Sequence, residues 1–277
     1  MITENILKEA RSFFSSYYQK YIANDLAVQK SIDLKKNHTL RVVENITTLA
    51  KSLFLNEEQE RIAEIIALYH DAGRFPQFTK YGTFNDEESE DHALLSVGII
   101  ESAPFFAKID EPSQQIIRTA IQNHSKIQLP AKEKEKEKEK EKEEEEQTQM
   151  FCQLIRDADK LDVWAMVTNQ FRDKSDDEMR AIMYNLPNLN VVSEKIIKTI
   201  QAEKPVKKED MKTMNDFRLM LMSWVFDLNF KASFNILNQH RYIEKIYNML
   251  PKQDGIINAY RAIKLFIENK FVEHKFQ

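Results

Sequence analysis

Turn-forming residues are scarce in this sequence: its 277 residues include 4 glycines and 7 prolines. Soluble proteins typically contain about 7% glycine and about 5% proline. Sandwiches and barrels need many tight turns, so this composition disfavours them and favours long helices joined by few turns. We therefore predict an all-α fold.

Cysteine content, charge and hydropathy exclude several classes of protein. Cys152 is the single cysteine, so a disulfide framework is excluded, and a chain of this length can bury a core without one. The formal net charge of −4 argues against a nucleic-acid footprint and makes a small molecule the expected partner. Because no run of about 18 uncharged apolar residues occurs, we expect a cytoplasmic protein that does not cross a membrane.

One segment lacks the mixture of apolar and polar residues that is typical of a globular protein. Residues 132–146 read KEKEKEKEKEKEEEE, with 6 Lys and 9 Glu. Like charges four residues apart disfavour a helix, and the segment offers no apolar side chain to pack. We predict a solvated, mobile insertion, either a loop or a frayed helix. Recruitment of a protein partner by this KEKE run is the alternative interpretation.

The spacing of apolar residues divides the remainder into helices. Residues 3–30 predict one or two amphipathic helices. A helix from Asp33 then places the following residues on one face: His38, Val42, Asn45, Leu49 and Leu53. Asn56 and Gln59 form a capping-box pattern before a helix that is apolar on almost every side and should be central. This helix should end near His70, with Gly73 as a left-handed C-cap.

Residues 75–91 contain turn-forming residues and predict a loop. Helices are expected over 92–100, from Pro112, over 150–170, and several times within 175–276. We expect N-terminal helices (1–30) packed on a central domain (31–170, with the 132–146 insertion) and a C-terminal helical extension (171–277). The apolar stretch at 219–230 should be core.

Four of the six histidines, His38, His70, His92 and His124, lie in apolar helical contexts. Helix faces in a core normally exclude such groups, because burying an unpaired polar group is costly. Each one alone is more typical of a hydrogen-bonded core residue. Together, and with Asp71 next to His70, they favour a metal site.

Charged residues surround these histidines in the sequence. Arg74 is suited to bind a phosphate, and an ion pair with Asp71 or Glu87 is the alternative interpretation. The string IRDADKLDVW adds carboxylates, among them Asp157 and Asp159. These two point about 200° apart on a helix, so at most one of them faces a common site. The apolar face of this helix does not decide between them.

The ordered set of His38, His70-Asp71 within HDAGR and Asp159 within DADKLD resembles the HD-domain superfamily of metal-dependent phosphohydrolases. The resemblance covers about residues 30–170 and implies an HD-domain helical bundle with a C-terminal helical extension. It assigns the last metal ligand to Asp159 rather than to Asp157.

Members of this superfamily with additional histidines in the interval often bind two metals. The resemblance thus implies a ligand set of six residues: His38, His70, Asp71, His92, His124 and Asp159. Asp71 would bridge the ions, and Asn123 stands where several dinuclear members have a histidine, so a third metal is unsupported. The ligands do not distinguish Mn, Fe, Mg, Co and Zn, and one or two ions are expected.

The resemblance also implies an activity. We expect hydrolysis of a nucleotide or another small phosphate ester by a metal-activated water, with Asp71 and Arg74 as catalytic residues. Arg74 and Lys160 would bind phosphate oxygens, although a solvated position is the alternative for Lys160. Two other functions remain open: a di-iron oxygenase on the same scaffold, and a noncatalytic nucleotide-binding or scaffolding protein.

Overall fold

The computed structural model describes residues 1–127, 129, 139–170 and 186–273, and every regular element in these ranges is a helix. The all-α prediction is therefore confirmed. The chain divides into two compact units, Met1–Asp159 and Lys160–Gln277. Within the described ranges, no helix combines the length and the apolar character that crossing a bilayer requires.

The helices of the first unit are α1 (Glu4–Gln19), α2 (Leu26–Ser52), α3 (Glu57–Tyr69), α4 (Arg74–Tyr81), α5 (His92–Glu101) and α6 (Glu111–Asn123), with α7 (Glu139–Ala165) running into the second unit. The helix expected from Asp33 begins earlier, at Leu26. Asp25 caps it, because its carboxylate accepts hydrogen bonds from the amides of Ala27 and Val28.

Helix α3 is the centre of the first unit, as predicted. It contacts α1, α2, α5 and α6. All its apolar residues from Ile62 to Tyr69 are buried, and Glu64 among them has a side chain that is 13% exposed. The capping box forms as expected: Asn56 accepts from the amide of Gln59 at 3.0 Å, and the Gln59 side chain accepts from the amide of Asn56 at 3.1 Å. The capping box therefore fixes where α3 begins, and the complete burial of Tyr69 and His70 places its other end in the core.

The turn after α3 corrects the expectation for Gly73. This residue has φ −64°, which is right-handed, so it is not a left-handed cap. Its physical role is close approach: a Cβ here would overlap the carbonyl oxygen of His92 and lie 2.7 Å from the Cβ of Leu95. The amide of Gly73 also donates to the buried Ser96 hydroxyl at 2.8 Å. Glycine therefore lets the end of α3 touch the start of α5.

The predicted loop over 75–91 is wrong for its first half. Residues Arg74–Tyr81 form α4, which ends at Gly82 with a left-handed φ of 68°, and Asp86–Glu88 form a 3₁₀ turn. Pro76 was a misleading signal, since a proline in the first turn of a helix occupies a place where the amide has no intrahelical partner.

The expected helices at 92–100 and from Pro112 are confirmed as α5 and α6. Helix α7 begins at Glu139, before the expected 150, and continues as a π-helical turn over Met166–Gln170. Adding residues to an existing helix is easier than starting one, which explains why the end of the KEKE run is helical. Lys142 is exposed there, whereas 132–138 lie outside the described residues.

The second unit contains α8 (Glu194–Gln201), α9 (Met214–Ser223), α10 (Lys231–His240), α11 (Tyr242–Asn248) and α12 (Asp254–Glu273). The first part of the stretch at 219–230 is core as predicted, because Leu219, Leu221, Met222 and Val225 have no exposed surface. Its second part is less buried, and Asn229 is exposed. Trp164 donates its indole N–H to the carbonyl of Leu221 at 2.9 Å. Residues 171–185, where part of this extension was expected, lie outside the described residues.

The contact at Gly73 predicts a localised loss of stability. Gly73→Ala should lower the free energy of unfolding by about 1–3 kcal/mol, because the added methyl group overpacks the α3–α5 contact. Gly98→Ala is the matched control on α5: no atom lies within 4 Å of its Cβ position, so the change should be neutral or stabilising by up to about 1 kcal/mol. Urea denaturation followed by far-UV circular dichroism measures both, and equal effects would contradict the close-approach role.

Candidate metal centre

Five elements of the first unit bring the predicted ligands together. His38 lies within α2, His70 and Asp71 follow α3, His92 begins α5, His124 follows α6 and Asp159 lies within α7. All are buried except Asp159, whose side chain is 26% exposed. Trios from this set have ligand atoms within 4.8 Å of one another, in the combinations His38-His70-Asp71, His70-His124-Asp159 and Asp71-His92-His124.

Asp71 is the carboxylate that occurs in two of these trios. Its Oδ2 lies 3.5 Å from Nε2 of His38 and 3.8 Å from Nε2 of His70. Its Oδ1 lies 3.4 Å from Nε2 of His92 and 3.7 Å from Nε2 of His124. Each oxygen of one carboxylate therefore faces its own pair of imidazoles, the arrangement that a bridging ligand needs.

The imidazoles are held by their other ring nitrogen. Nδ1 of His70 lies 2.7 Å from the carbonyl of Ala67, and Nδ1 of His124 lies 2.6 Å from the carbonyl of Ile121. A carbonyl can only accept, so both Nδ1 atoms donate, and in the neutral rings Nε2 carries the lone pair. Outward-facing N–H groups and inward-facing lone pairs are typical of histidines that bind metals.

The contact between His92 and His124 tests whether the donors fit a cation. Nδ1 of His92 lies 2.7 Å from a carboxylate oxygen of Asp86, which makes it a donor as well. When both rings are neutral, the two Nε2 atoms, 3.1 Å apart, face each other with a lone pair each and no hydrogen between them. A divalent cation bound by both lone pairs would remove this repulsion, so the donor set fits a metal.

Burial keeps two of these histidines neutral. It lowers the pKa of His70 to about 4, although the charge of Asp71 acts in the opposite direction. It also lowers the pKa of His92 to about 4, and the nearby Arg74 guanidinium adds to that effect. Both rings are thus deprotonated at neutral pH, the state that coordinates a metal.

The carboxylates are kept ionised by their neighbours. Burial alone raises the pKa of Asp71, but the Lys35 ammonium and the Arg74 guanidinium act against it, and this pKa lies well below its usual range. Burial acts on Asp159 in the same sense, and the hydrogen bond and charge of His38, whose Nε2 lies 3.2 Å away, lower its pKa overall. The centre therefore contains two anionic carboxylates.

The structure distinguishes the two acids that the helix wheel left open. Asp159 approaches His38, whereas Asp157 is fully buried and belongs to none of the metal-competent groups found among the described residues. Lys160, expected to bind phosphate, has its ammonium 2.7 Å from a carboxylate oxygen of Asp227. A phosphate contact of Lys160 stays a prediction. His240 is exposed, and His274 lies outside the described residues.

Arg74 is engaged in an ion-pair network. Its Nη1 donates to Asp86 at 2.8 Å, to Gln77 at 2.8 Å and to the carbonyl of Phe84 at 2.6 Å, while its Nε lies 3.5 Å from Asp71. The acidic partners are thus Asp71, as the sequence suggests, and Asp86 in place of Glu87. Arg74 ties the 3₁₀ turn at Asp86 to the metal centre.

Three residues at the centre were not found from the sequence. Lys35 places its ammonium 2.7 Å from Asp71, Asp86 orients His92, and Arg156 donates to the carbonyl of His124 at 3.2 Å. Lys35 carried a usable signal, since it lies one turn before His38 on the same helix. The position of Asp86 depends on α4, which the sequence did not predict.

The depressed pKa values of His70 and His92 predict how the metal-free protein responds to acid. Between about pH 6.5 and pH 4 the unfolded chain binds protons that the folded chain does not, so stability falls as the pH is lowered through this window. Each histidine contributes up to about 1.4 kcal/mol per pH unit. Denaturation of chelator-treated protein should show a smaller slope for His70→Asn and an unchanged slope for the exposed control His240→Asn. Equal slopes in all three proteins would contradict the assignment.

Comparison with known proteins agrees with this geometry. The family model described as HD domain matches residues 36–164, a segment that contains all six clustered side chains. No curated protein and no solved structure matches the chain. The match supports the HD-domain superfamily for residues 36–164, which make up 129 of the 277 residues of the chain.

Proposed function

We propose that this protein is a metal-dependent phosphohydrolase that acts on a nucleotide or another small phosphate ester. The observation that carries the proposal is the position of Asp71, whose two oxygens face two separate histidine pairs. A carboxylate in this position can be shared by two cations, and paired cations suit displacement at phosphorus.

The residues divide into two ligand groups around Asp71. His38, His70 and Asp159 would hold the first ion, and His92 and His124 would hold the second. When bound, such ions supply a nucleophilic water at neutral pH and balance charge on the attacking and leaving oxygens. The protein contributes imidazoles whose orientation is set by the Ala67 and Ile121 carbonyls and by Asp86.

Local charge favours a phosphate ester as the substrate. Lys35 and Arg74 both lie beside Asp71, and their side chains are 19% and 14% exposed, whereas that of Asp71 is 4% exposed. Positive charge at the more exposed side of a metal cluster attracts an anion. An uncharged organic substrate would gain nothing from these two cations.

Elemental analysis followed by an activity screen tests the proposal. We expect purified protein to contain divalent metal and to hydrolyse phosphate mono- or diesters, nucleotides included, in the presence of Mn²⁺, Mg²⁺, Co²⁺ or Fe²⁺. Chelator treatment should abolish turnover, and metal should restore it. Uptake of O₂ with an organic substrate, or binding of nucleotides without turnover under all these ions, would contradict the proposal.

The two acids of α7 provide a matched pair of variants. Asp159→Asn should weaken metal binding at least about tenfold and abolish hydrolysis, because it removes an anionic oxygen next to His38. Asp157→Asn makes the same chemical change two residues away and should keep both properties. Metal content and rate of hydrolysis are measured for both folded variants. If Asp157→Asn loses them and Asp159→Asn keeps them, Asp159 is excluded as a ligand.

The second ligand group predicts a change in stoichiometry. His92→Gln or His124→Gln should reduce bound metal from about two ions to about one per chain, with a large loss of hydrolysis. The exposed His240 provides the control, since His240→Gln should leave both values unchanged. Two ions per chain in either His92 or His124 variant, or a wild type that never exceeds one ion under saturating Mn²⁺, would refute the dinuclear centre.

A further inference from the structure

Lys35 lies at the metal centre but has no role among the proposed ligands. It precedes the segment matched by the family model, which begins at residue 36. Its ammonium is 2.7 Å from Oδ2 of Asp71, the same oxygen that faces His38 and His70. An ion held by these three residues would therefore compete with the ammonium for one oxygen.

This competition follows from charge. A divalent ion and an ammonium on the same carboxylate oxygen repel each other, and the repulsion is strong where water is excluded. Asp71 and His38 are each 4% exposed on their side chains, so the surroundings of this oxygen are dry. Binding of an ion at Oδ2 should therefore weaken the Lys35–Asp71 ion pair or break it.

Lys35 is better placed to move than the neighbouring Arg74. Nη1 of Arg74 has three acceptors from residues of α4 and the segment after it. Within the described ranges, the ammonium of Lys35 has one hydrogen-bond acceptor, Asp71, and its other neighbour is the ring of Phe84 at 5.4 Å. A lysine also carries three donors on a flexible stem, so a displaced ammonium can reach a new acceptor nearby.

The exposed side chains of the cluster indicate from which side a new hydrogen-bond acceptor for Lys35 would arrive. Lys35 and Asp159 are partly exposed, at 19% and 26% of their side chains, whereas His70 and His92 are at most 1% exposed. A ligand from solvent thus reaches the centre on the side where Lys35 lies. A phosphate arriving there would meet an ammonium that has lost its carboxylate.

We propose that Lys35 is an exchangeable counter-ion: it neutralises Asp71 while no divalent ion is bound, and it binds a phosphate oxygen of the substrate after ions have taken over that charge. The proposal rests on the proposed function, because it names the group that would bind the phosphate of that substrate. It also gives the two cationic side chains different roles: Arg74 holds the Asp86 turn in place, and Lys35 contacts the substrate.

Opposite effects on two ligands test this exchange. Lys35→Met should bind Mn²⁺ more tightly than wild type, at least several-fold, because the competing charge is gone. The Mn²⁺-loaded variant should bind inorganic phosphate about 10- to 100-fold more weakly, because a charge-assisted hydrogen bond is lost. Isothermal titration calorimetry measures both affinities, and circular dichroism checks the fold.

Two further variants make the test specific. Lys36→Met removes the same charge from the next residue of α2, whose ammonium lies 3.9 Å from Asp33 and 5.5 Å from the Tyr18 ring, and should change neither affinity. Lys35→Arg should retain phosphate binding. If Lys35→Met binds Mn²⁺ more weakly than wild type, or binds phosphate as tightly as Lys36→Met, the exchange is refuted.

The same measurements distinguish failure of this inference from failure of the proposed function. A wild type that hydrolyses phosphate esters, with phosphate affinity independent of Lys35, would refute the inference and leave the hydrolase intact. A wild type that hydrolyses none of them would refute the hydrolase. The loss of phosphate affinity in Lys35→Met would still support the exchange.

Discussion

A buried carboxylate is the constraint on which the first unit depends. Asp71 has little access to water, and a buried anion is tolerated only where cations and hydrogen-bond donors surround it. Lys35 from α2 and Arg74 from α4 supply charge, and imidazoles from α2, α3, α5 and α6 face its two oxygens. The anion is therefore compensated only when all of these helices are in place.

The clustered histidines and carboxylates lie mainly at helix ends, so their positions depend on how the helices pack. His70 and His124 each follow the last turn of a helix, where a free backbone carbonyl accepts the Nδ1 proton and fixes the ring. His92 begins α5, and α5 is seated against Gly73 with no room for a side chain. The distance between Asp71 and His92 thus depends on the packing of α5 against Gly73 as well as on the two side chains.

Much of the fold and part of the site could be predicted from the sequence. Apolar periodicity and the Asn56 capping box located the central helix, and histidines in apolar contexts pointed to the four imidazoles that the structure brings together. The choice of Asp159 over Asp157 needed the family resemblance. A helix wheel shows that the two side chains point in different directions, but it does not show which of them faces the histidines. Lys35 and the close approach at Gly73 were missed, since both depend on which helices touch and local spacing carries no information about that.

Anomalous diffraction from crystals grown with Mn²⁺ is the sharpest test of a dinuclear centre on Asp71, because it locates ions without assuming their ligands. We expect two peaks about 3.5–4 Å apart, one on each oxygen of Asp71. The first should lie among His38, His70 and Asp159, and the second between His92 and His124. A single peak under saturating Mn²⁺, or peaks that do not adjoin Asp71, would contradict a dinuclear centre built on this carboxylate.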